Sequence, residues 1–302
     1  SSPYKEVEAT IHNGLIMDFD YLELILEEIF TQQLSCDPTQ HPILYSEPVY
    51  NTHPRRVKTL EMIFEHFNTP QFYAQHDVVL DIFSTGKPSG LSINSGAGHT
   101  TIAAVSDGRA ILSSAKYTKI GGDTLDSLLW RLLQHSYGLT SLPLPYQYTK
   151  TATSIGYKKY KYSIHPTTTE VTKSLENYCH HQLIKQMKQQ CLTIPLTPLN
   201  PIAVKDIVNV YTLPDGQILD LGEIGGILGE SLFNSTTYHL GQEIATDLLP
   251  SYKYSSLQQI ITDCILDSDV DLRTLLLNNM VVSGSNTIYK GLTQRLHLEL
   301  SH

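Results

Sequence analysis

The segment Leu91–Ser114, LSINSGAGHTTIAAVSDGRAILSS, holds the residues best suited to grip a ligand. It reads as an apolar strand, a loop of small residues, a second strand, an Asp-Gly turn and a third strand. In the loop Asn94-Ser95-Gly96-Ala97-Gly98-His99-Thr100, backbone free of bulky side chains can turn its N–H groups toward an anion, as glycine-rich turns do for phosphates. Asp107-Gly108 suits a tight hairpin, whose two central residues take positive φ. No helix directly follows the glycines, so neither a Rossmann nor a P-loop arrangement fits. Two other clusters carry reactive residue types. Cys179-His180-His181 offers metal-binding side chains, but consecutive helical residues point about 100° apart and do not converge on one ion. A helix surface with one buried cysteine is the simpler expectation, and no metal site is expected. Tyr157-Lys158-Lys159-Tyr160-Lys161-Tyr162 interleaves aromatic and basic residues, as a nucleic-acid contact would. On an acidic chain, a solvated or protein-contact loop is expected there instead.

The elements that must position these residues read as α/β. Asp20 with Glu23 forms a capping pair, and Leu22, Ile25, Leu26, Ile29 and Phe30 recur at helical spacing. Pro54 opens a second helix, with Val57, Leu60, Phe64 and Phe67 expected inward. His76 to Phe83 reads as a short buried helix ended by Gly86 and Pro88. Beyond Gly121-Gly122, Asp123 caps a helix through Leu133, with Trp130 in the core. Leu142 to Thr169, rich in Pro, Tyr and Lys, reads as a loop or variable insert. A long helix runs from Thr172 to about Cys191, then a Pro-punctuated segment to Asn200. Asp269 and Asp271 cap or flank a helix from Leu272 to Asn278.

Composition bounds the class. The chain has 302 residues, 41% hydrophobic and 17% charged, which is a globular balance with material for two domains. Its net charge of -9 argues against a surface built mainly to contact nucleic-acid phosphates. Cys36, Cys179, Cys191 and Cys264 contain no C-x-x-C pair, so neither a disulfide framework nor a zinc motif is suggested. No apolar run reaches membrane-spanning length and the opening SSPYKEVEAT is no signal peptide, which leaves cytosol or nucleus as the expected location.

Further motifs identify a family. Pro42-Ile43-Leu44-Tyr45-Ser46-Glu47-Pro48 resembles the actin strand that ends in a Glu–Pro segment, and Phe64-Glu65-His66-Phe67-Asn68-Thr69-Pro70 resembles actin's helix end and Asn-x-Pro turn. Leu213-Pro214-Asp215-Gly216-Gln217 is similar to a hairpin in its far half. Asp269-Val270-Asp271-Leu272-Arg273, followed by Val281-Val282-Ser283-Gly284-Ser285-Asn286-Thr287-Ile288-Tyr289, is similar to the segment ending in actin's adenosine loop. The order is that of actin, and the sequence is identified as a member of the actin family. Ser46–Thr52, the shortened loop Ser95–Thr101 and the stretch from Pro143 to Ser174 resemble the nuclear actin-related proteins of the fourth class, subunits of chromatin-remodelling and histone-acetyltransferase complexes.

That resemblance implies an actin-like fold, present in part. A first phosphate loop of Asp-x-Gly-Ser type and a closing Trp-Ile-Gly-Gly-Ser-like segment are not in the sequence, so a longer native chain is expected. Residues 1–117 correspond to the remainder of subdomain 1 and the start of the second half. Residues 118–302 correspond to subdomains 3 and 4, with 142–171 a variable insert. By alignment the hydrolytic Gln position falls on Asp77, the second-loop carboxylate on Asn94, the acidic residue between the loop glycines on Ala97, and the phosphate-facing histidine on His99. A degenerate, non-catalytic ATPase site is expected, with Asp77 more simply a helix cap than a base. Gly96, Gly98, Gly121, Gly122, Lys185, Gln186, Gly284, Ser285 and Tyr289 match nucleotide-contacting positions, giving either no cofactor or ATP bound without turnover. Ile82, Phe83, Ser84, Thr85 and Gly86 match positions lining the cleft that takes a partner helix, with Ile82 or Phe83 core. The implied role is an architectural nuclear subunit that pairs with actin on a helicase–SANT-associated helix beside other complex subunits. Contact with DNA or histones is at most indirect. The alternatives are an active actin-like ATPase or filament former and a cytoskeletal actin-related protein of a dynactin-like or branching complex.

Overall fold

The structure, a computed structural model, describes residues 5–152, 160–164, 171–198, 208–234 and 256–301. In chain order it runs β1 (Ile11–His12), β2 (Leu15–Ile16), α1 (Phe19–Glu28), β3 (Ile43–Glu47), α2 (His53–Glu61), β4 (Phe72–His76) and α3 (Asp77–Phe83). Then come β5 (Gly90–Ser95), β6 (Thr100–Ser106), β7 (Arg109–Ala110), β8 (Lys116–Thr118), α4 (Gly122–Tyr137), β9 (Tyr148–Ala152), β10 (Tyr160–Ile164) and α5 (Lys173–Cys191). The described chain ends with β11 (Val210–Thr212), β12 (Ile218–Asp220), α6 (Gly222–Glu230), α7 (Leu257–Leu266), α8 (Val270–Asn278), β13 (Met280–Ser283) and α9 (Leu292–Leu300). The mixture is α/β, as expected. Two compact units divide it: a loop unit of Ala9–Gly122 with Gln259–Thr287, and a helical unit of Ser1–Glu8, Asp123–Gln258 and Ile288–His302.

The loop unit is built on a five-stranded sheet. Its order is β13-β5-β6-β7, with β8 also on β6; β13 runs parallel to β5 and the other pairings are antiparallel. Asp107 and Gly108 take φ of 47° and 73°, so the predicted hairpin turn forms and sets the register Val105↔Ala110. Asn13-Gly14 closes the small β1–β2 hairpin by the same chemistry. Val78, Val79 and Ile82 of α3 are fully buried against Ala103 and Val105 of β6. A second cluster joins Ile16, Leu22, Met62, Ile63 and Phe67. Among the described residues no helix is long and apolar enough to cross a membrane.

Several local expectations are corrected. The cap of α1 is Asp18, which accepts the Tyr21 N–H at 2.9 Å, rather than the pair Asp20 and Glu23; Glu23 instead faces His66. Helix α2 runs on into a π-helical turn over Met62–His66, whose extra residue rotates the side chains that follow. Met62 and Ile63 therefore enter the core with Phe67, while Val57 and Phe64 face outward. His76 ends strand β4, so α3 begins at Asp77. Helix α4 extends to Tyr137, past Leu133. Trp130 is half-buried, packed edge-to-face on His180. The segment read as a loop from Leu142 holds an antiparallel pair, β9 with β10, in the register Lys161↔Thr151 and Tyr162↔Lys150. Alternating Thr, Tyr and Lys favour such a pleated, half-exposed ribbon. Tyr157, Lys158 and Lys159 of the aromatic–basic run lie outside the described residues.

In the helical unit, Leu125, Leu129 and Leu133 of α4 and Leu183 and Met187 of α5 are buried. Helix α6 closes on the end of α5 through glycine: a Cβ at Gly225 would sit 2.0 Å from the Cys191 carbonyl oxygen.

Candidate functional site

The small-residue loop is held by a chain of side-chain hydrogen bonds within the loop unit. Thr100 Oγ1 donates to the Ile120 carbonyl at 2.6 Å and lies 2.9 Å from Ser95 Oγ. The Thr100 proton is thereby committed, so Ser95 donates to Thr100 and accepts from Asn286 Nδ2 at 3.0 Å. Asn286 spends its other amide hydrogen on the Gly96 carbonyl at 2.8 Å. Asn286 is buried and lies 191 residues along the chain from Ser95.

Of the glycines matched to phosphate contact, several are explained by this packing. The Gly96 N–H donates to the His99 carbonyl at 2.9 Å, and the Gly122 N–H to the Gly96 carbonyl at 3.0 Å. A Cβ at Gly121 would stand 2.5 Å from the Ala97 carbonyl oxygen, so the chain after β8 lies directly against the loop. A Cβ at Gly98 would stand 2.9 Å from Asn13 Cα. Among the described residues the N–H groups of Ala97 and Gly98 donate to no protein acceptor, so an anion has two adjacent donors available.

Acidic groups near the loop are few and mostly engaged. Asp77 opens α3 and accepts the Val78 N–H at 2.8 Å. Burial pushes its carboxyl up to about 6; the Val78 bond lowers it, and the Asp81 charge one turn on raises it. Asp81 Oδ2 accepts from Ser92 Oγ at 2.7 Å, Ser283 Oγ at 2.7 Å and Asn94 Nδ2 at 3.2 Å. This carboxylate therefore ties α3 to β5 and β13, and Asn94 serves as a donor to it. Ala97 has no oxygen on its side chain. His99 Nε2 lies 2.6 Å from the Tyr50 hydroxyl, which itself donates to the Asn13 carbonyl at 2.9 Å. The shared hydroxyl proton is then on Asn13, leaving His99 to donate from Nε2 and to keep a bare, buried Nδ1 without a partner. Burial holds its pKa below the usual imidazole value, consistent with that neutral form.

The remaining matched residues are spread between the units. Gly284, at φ 89°, and the exposed Ser285 belong to the loop unit. Lys185 and Gln186 stand exposed on α5 of the helical unit, and Tyr289 is buried there, its hydroxyl pushed up to about 12 by burial, with the Asp126 and Cys191 charges adding to the rise.

On the loop unit a concavity of about 450 Å³ is lined by Tyr73, Gln75, His76, Phe83 and the turn residues from Asp107 to Ala110. Phe83 packs over Gly108 and remains 47% exposed, and Tyr73 remains 62% exposed. Ile82, its neighbour, is core. Ser84 and Thr85 close the end of α3, donating to the Asp81 and Ile82 carbonyls, and Gly86 takes φ 74° with open space around it. Phe83 alone of the five expected cleft residues lines this groove; Ile82 and Thr85 line a smaller one with Lys87 and Val281.

Sequence reasoning missed Tyr50, Asp81 and Asn286. Asp81 sits one helical turn from Asp77, a signal for proximity, but nothing local pairs it with Ser283, 202 residues away.

Comparison with known proteins gives one consistent result. A family model described as Actin matches residues 1–302. The chain is 29% identical over 300 residues to Actin-related protein 4 of Arabidopsis thaliana, covering 98% of this chain and 66% of that protein. It is 30% identical over 300 residues to Actin-related protein 4 of Oryza sativa subsp. indica, with the same coverage of 98% and 66%. The protein of that name from Yarrowia lipolytica is 27% identical over 305 residues, covering 99% and 67%. The chain thus spans about two thirds of the length of these relatives.

Proposed function

The chain belongs to the actin family, and on that premise we propose that it is a non-catalytic architectural subunit of a nuclear chromatin-remodelling or histone-acetyltransferase complex. In this reading it pairs with actin on a helicase–SANT-associated helix. The name Actin-related protein 4, shared by its similar relatives, supports the class. The observation that carries the reading is the chemistry at the loop. Hydrated magnesium on a triphosphate needs carboxylate oxygens nearby. Here Asn94 and Ala97 occupy the loop, and the adjacent Asp81 is committed to three donors. The residues present fit an anion through the Ala97 and Gly98 N–H groups; they do not fit a magnesium ion, and no hydrolytic step is drawn through one.

The groove of Tyr73 and Phe83 supplies the complementary half. A helix that lays an apolar face across it desolvates two large rings, and such aromatic anchors carry about 2 kcal/mol or more each at an interface. Arg109 at the rim favours an acidic neighbour on that helix. The test is capture of the motor-subunit helix, with actin present, by the purified chain. Phe83→Glu is expected to lower capture at least about tenfold, the equivalent of one anchor weakened. Its thermal midpoint should stay near that of the wild type, because the ring is half exposed. Retained capture would place the helix elsewhere.

One observation favours the rival reading of an active ATPase: Asp77, with its pKa about 6, lies in the range useful to a general base. Under the architectural reading, Mg-ATP gives no steady phosphate release, and Asp77→Asn changes nothing in that assay. Turnover in the wild type that disappears in Asp77→Asn would establish the rival.

A further inference from the structure

His181, set aside in sequence as one of three side chains that diverge from a helix, finds partners on another helix. Asp123 and Asp126 project from one face of α4 at the i, i+3 spacing, and α5 brings His181 to them. One ligand atom from each of the three lies within 4.8 Å of the others, with His181 Nε2 4.0 Å from Asp123 Oδ1. We propose that Asp123, Asp126 and His181 form a binding site for a divalent transition metal, with zinc the ion that best suits these donors. An imidazole beside two carboxylates matches zinc, whereas calcium and magnesium prefer all-oxygen shells.

A second, independent observation concerns Asp126. Its side chain is only 2% exposed, and Lys188 Nζ lies 2.8 Å from Oδ1. The other oxygen, Oδ2, is equally cut off from water and accepts no hydrogen bond. Buried carboxylate oxygens without a donor are rare because the lost hydration is not replaced. A metal at Oδ2 would complete the shell, leaving Lys188 as the outer partner that orients the carboxylate. Asp123 and His181 are each about half exposed, 53% and 52%, and free to close on an ion. Tetrahedral zinc with bonds near 2.1 Å sets its ligands roughly 3.4 Å apart. Rotations of the two exposed side chains supply the difference. Cys179 and His180 stay outside: His180 packs on Trp130, with ring centroids 4.8 Å apart.

The experiment is titration of the purified full chain with Zn²⁺ by calorimetry, and with Co²⁺ by visible absorption. Asp126 is buried with Lys188, so the variants are His181→Ala and Asp123→Asn, which lie at the surface; His180→Ala is the control. One equivalent of Zn²⁺ bound by the wild type should weaken more than about tenfold in both variants and stay unchanged in the control. Co²⁺ should give a ligand-field band that Zn²⁺ displaces and His181→Ala removes. No binding by the wild type, or the same stoichiometry and affinity in His181→Ala, overturns the proposal.

Discussion

Replacing Glu230 by alanine is expected to destabilise the helical unit by about 3–5 kcal/mol, because it strands a buried guanidinium. Arg295 is 2% exposed, and so is Glu230; the pair is bidentate, with Nη1 3.0 Å from Oε2 and Nη2 3.2 Å from Oε1. Further bonds run from Nη1 to the Pro195 carbonyl at 2.7 Å and from Nε to Glu299 Oε1 at 2.6 Å. The guanidinium also stacks over Phe233 at 5.0 Å. So α6, α9 and the segment after α5 meet on one cation. Burial by itself would lower the pKa of Arg295, but the bonds to Glu230 and Glu299 outweigh it and the value rises. Urea denaturation of Glu230→Ala reads the loss as a lower midpoint. A double variant, Glu230→Leu with Arg295→Met, should recover much of it, since an apolar pair of similar volume removes both desolvation penalties. A single variant within about 1 kcal/mol of wild type would mean that solvent reaches the pair, as it does in surface ion pairs.

Gly284→Ala is the second large effect, expected at about 3 kcal/mol or more. Two costs combine. The position takes φ 89°, outside the usual range for side-chain-bearing residues, and an added Cβ would stand 2.2 Å from the Ser95 carbonyl oxygen and 2.8 Å from its nitrogen. Both neighbours are backbone, so relief requires β13 and β5 to move apart at the base of the small-residue loop. Gly86→Ala separates the two costs. Its φ is 74°, but nothing lies within 4 Å of the new methyl group, so only the conformational penalty of about 1 kcal/mol remains. Thermal denaturation ranks the two. Amide exchange from Ser95 to Thr100 should accelerate in Gly284→Ala alone. Equal losses in both variants would mean that φ decides the cost and the contact with Ser95 does not.

The family itself was legible in sequence because its motifs are local. A strand, a small-residue loop and an Asp-Gly turn depend on neighbours within a few positions, and β5, β6 and the turn formed where predicted. The long helix read from Thr172 to about Cys191 forms as α5, Lys173–Cys191, almost to the residue. Where a local signal competed with packing, packing won. The π-turn after α2 turned Met62 and Ile63 inward in place of Phe64, since the core selects the face that fills it. Likewise Asp18 capped α1 because the chain leaving β2 enters the helix there.

What the loop can do was decided in three dimensions. Its residue types were readable, and the family resemblance set Asn94 and Ala97 at positions where carboxylates were expected. That Asp81 restores one beside Asn94 and consumes it on Ser92 and Ser283 was not, because those partners come from different strands. The same holds for Asn286 on Gly96, for Arg295 on Glu230 and for His181 beside Asp126. Composition and periodicity assign each residue to an element and a face. Which charges and donors share a site depends on closing the chain between residues far apart in sequence, where burial makes an unmatched polar group too unfavourable to leave alone.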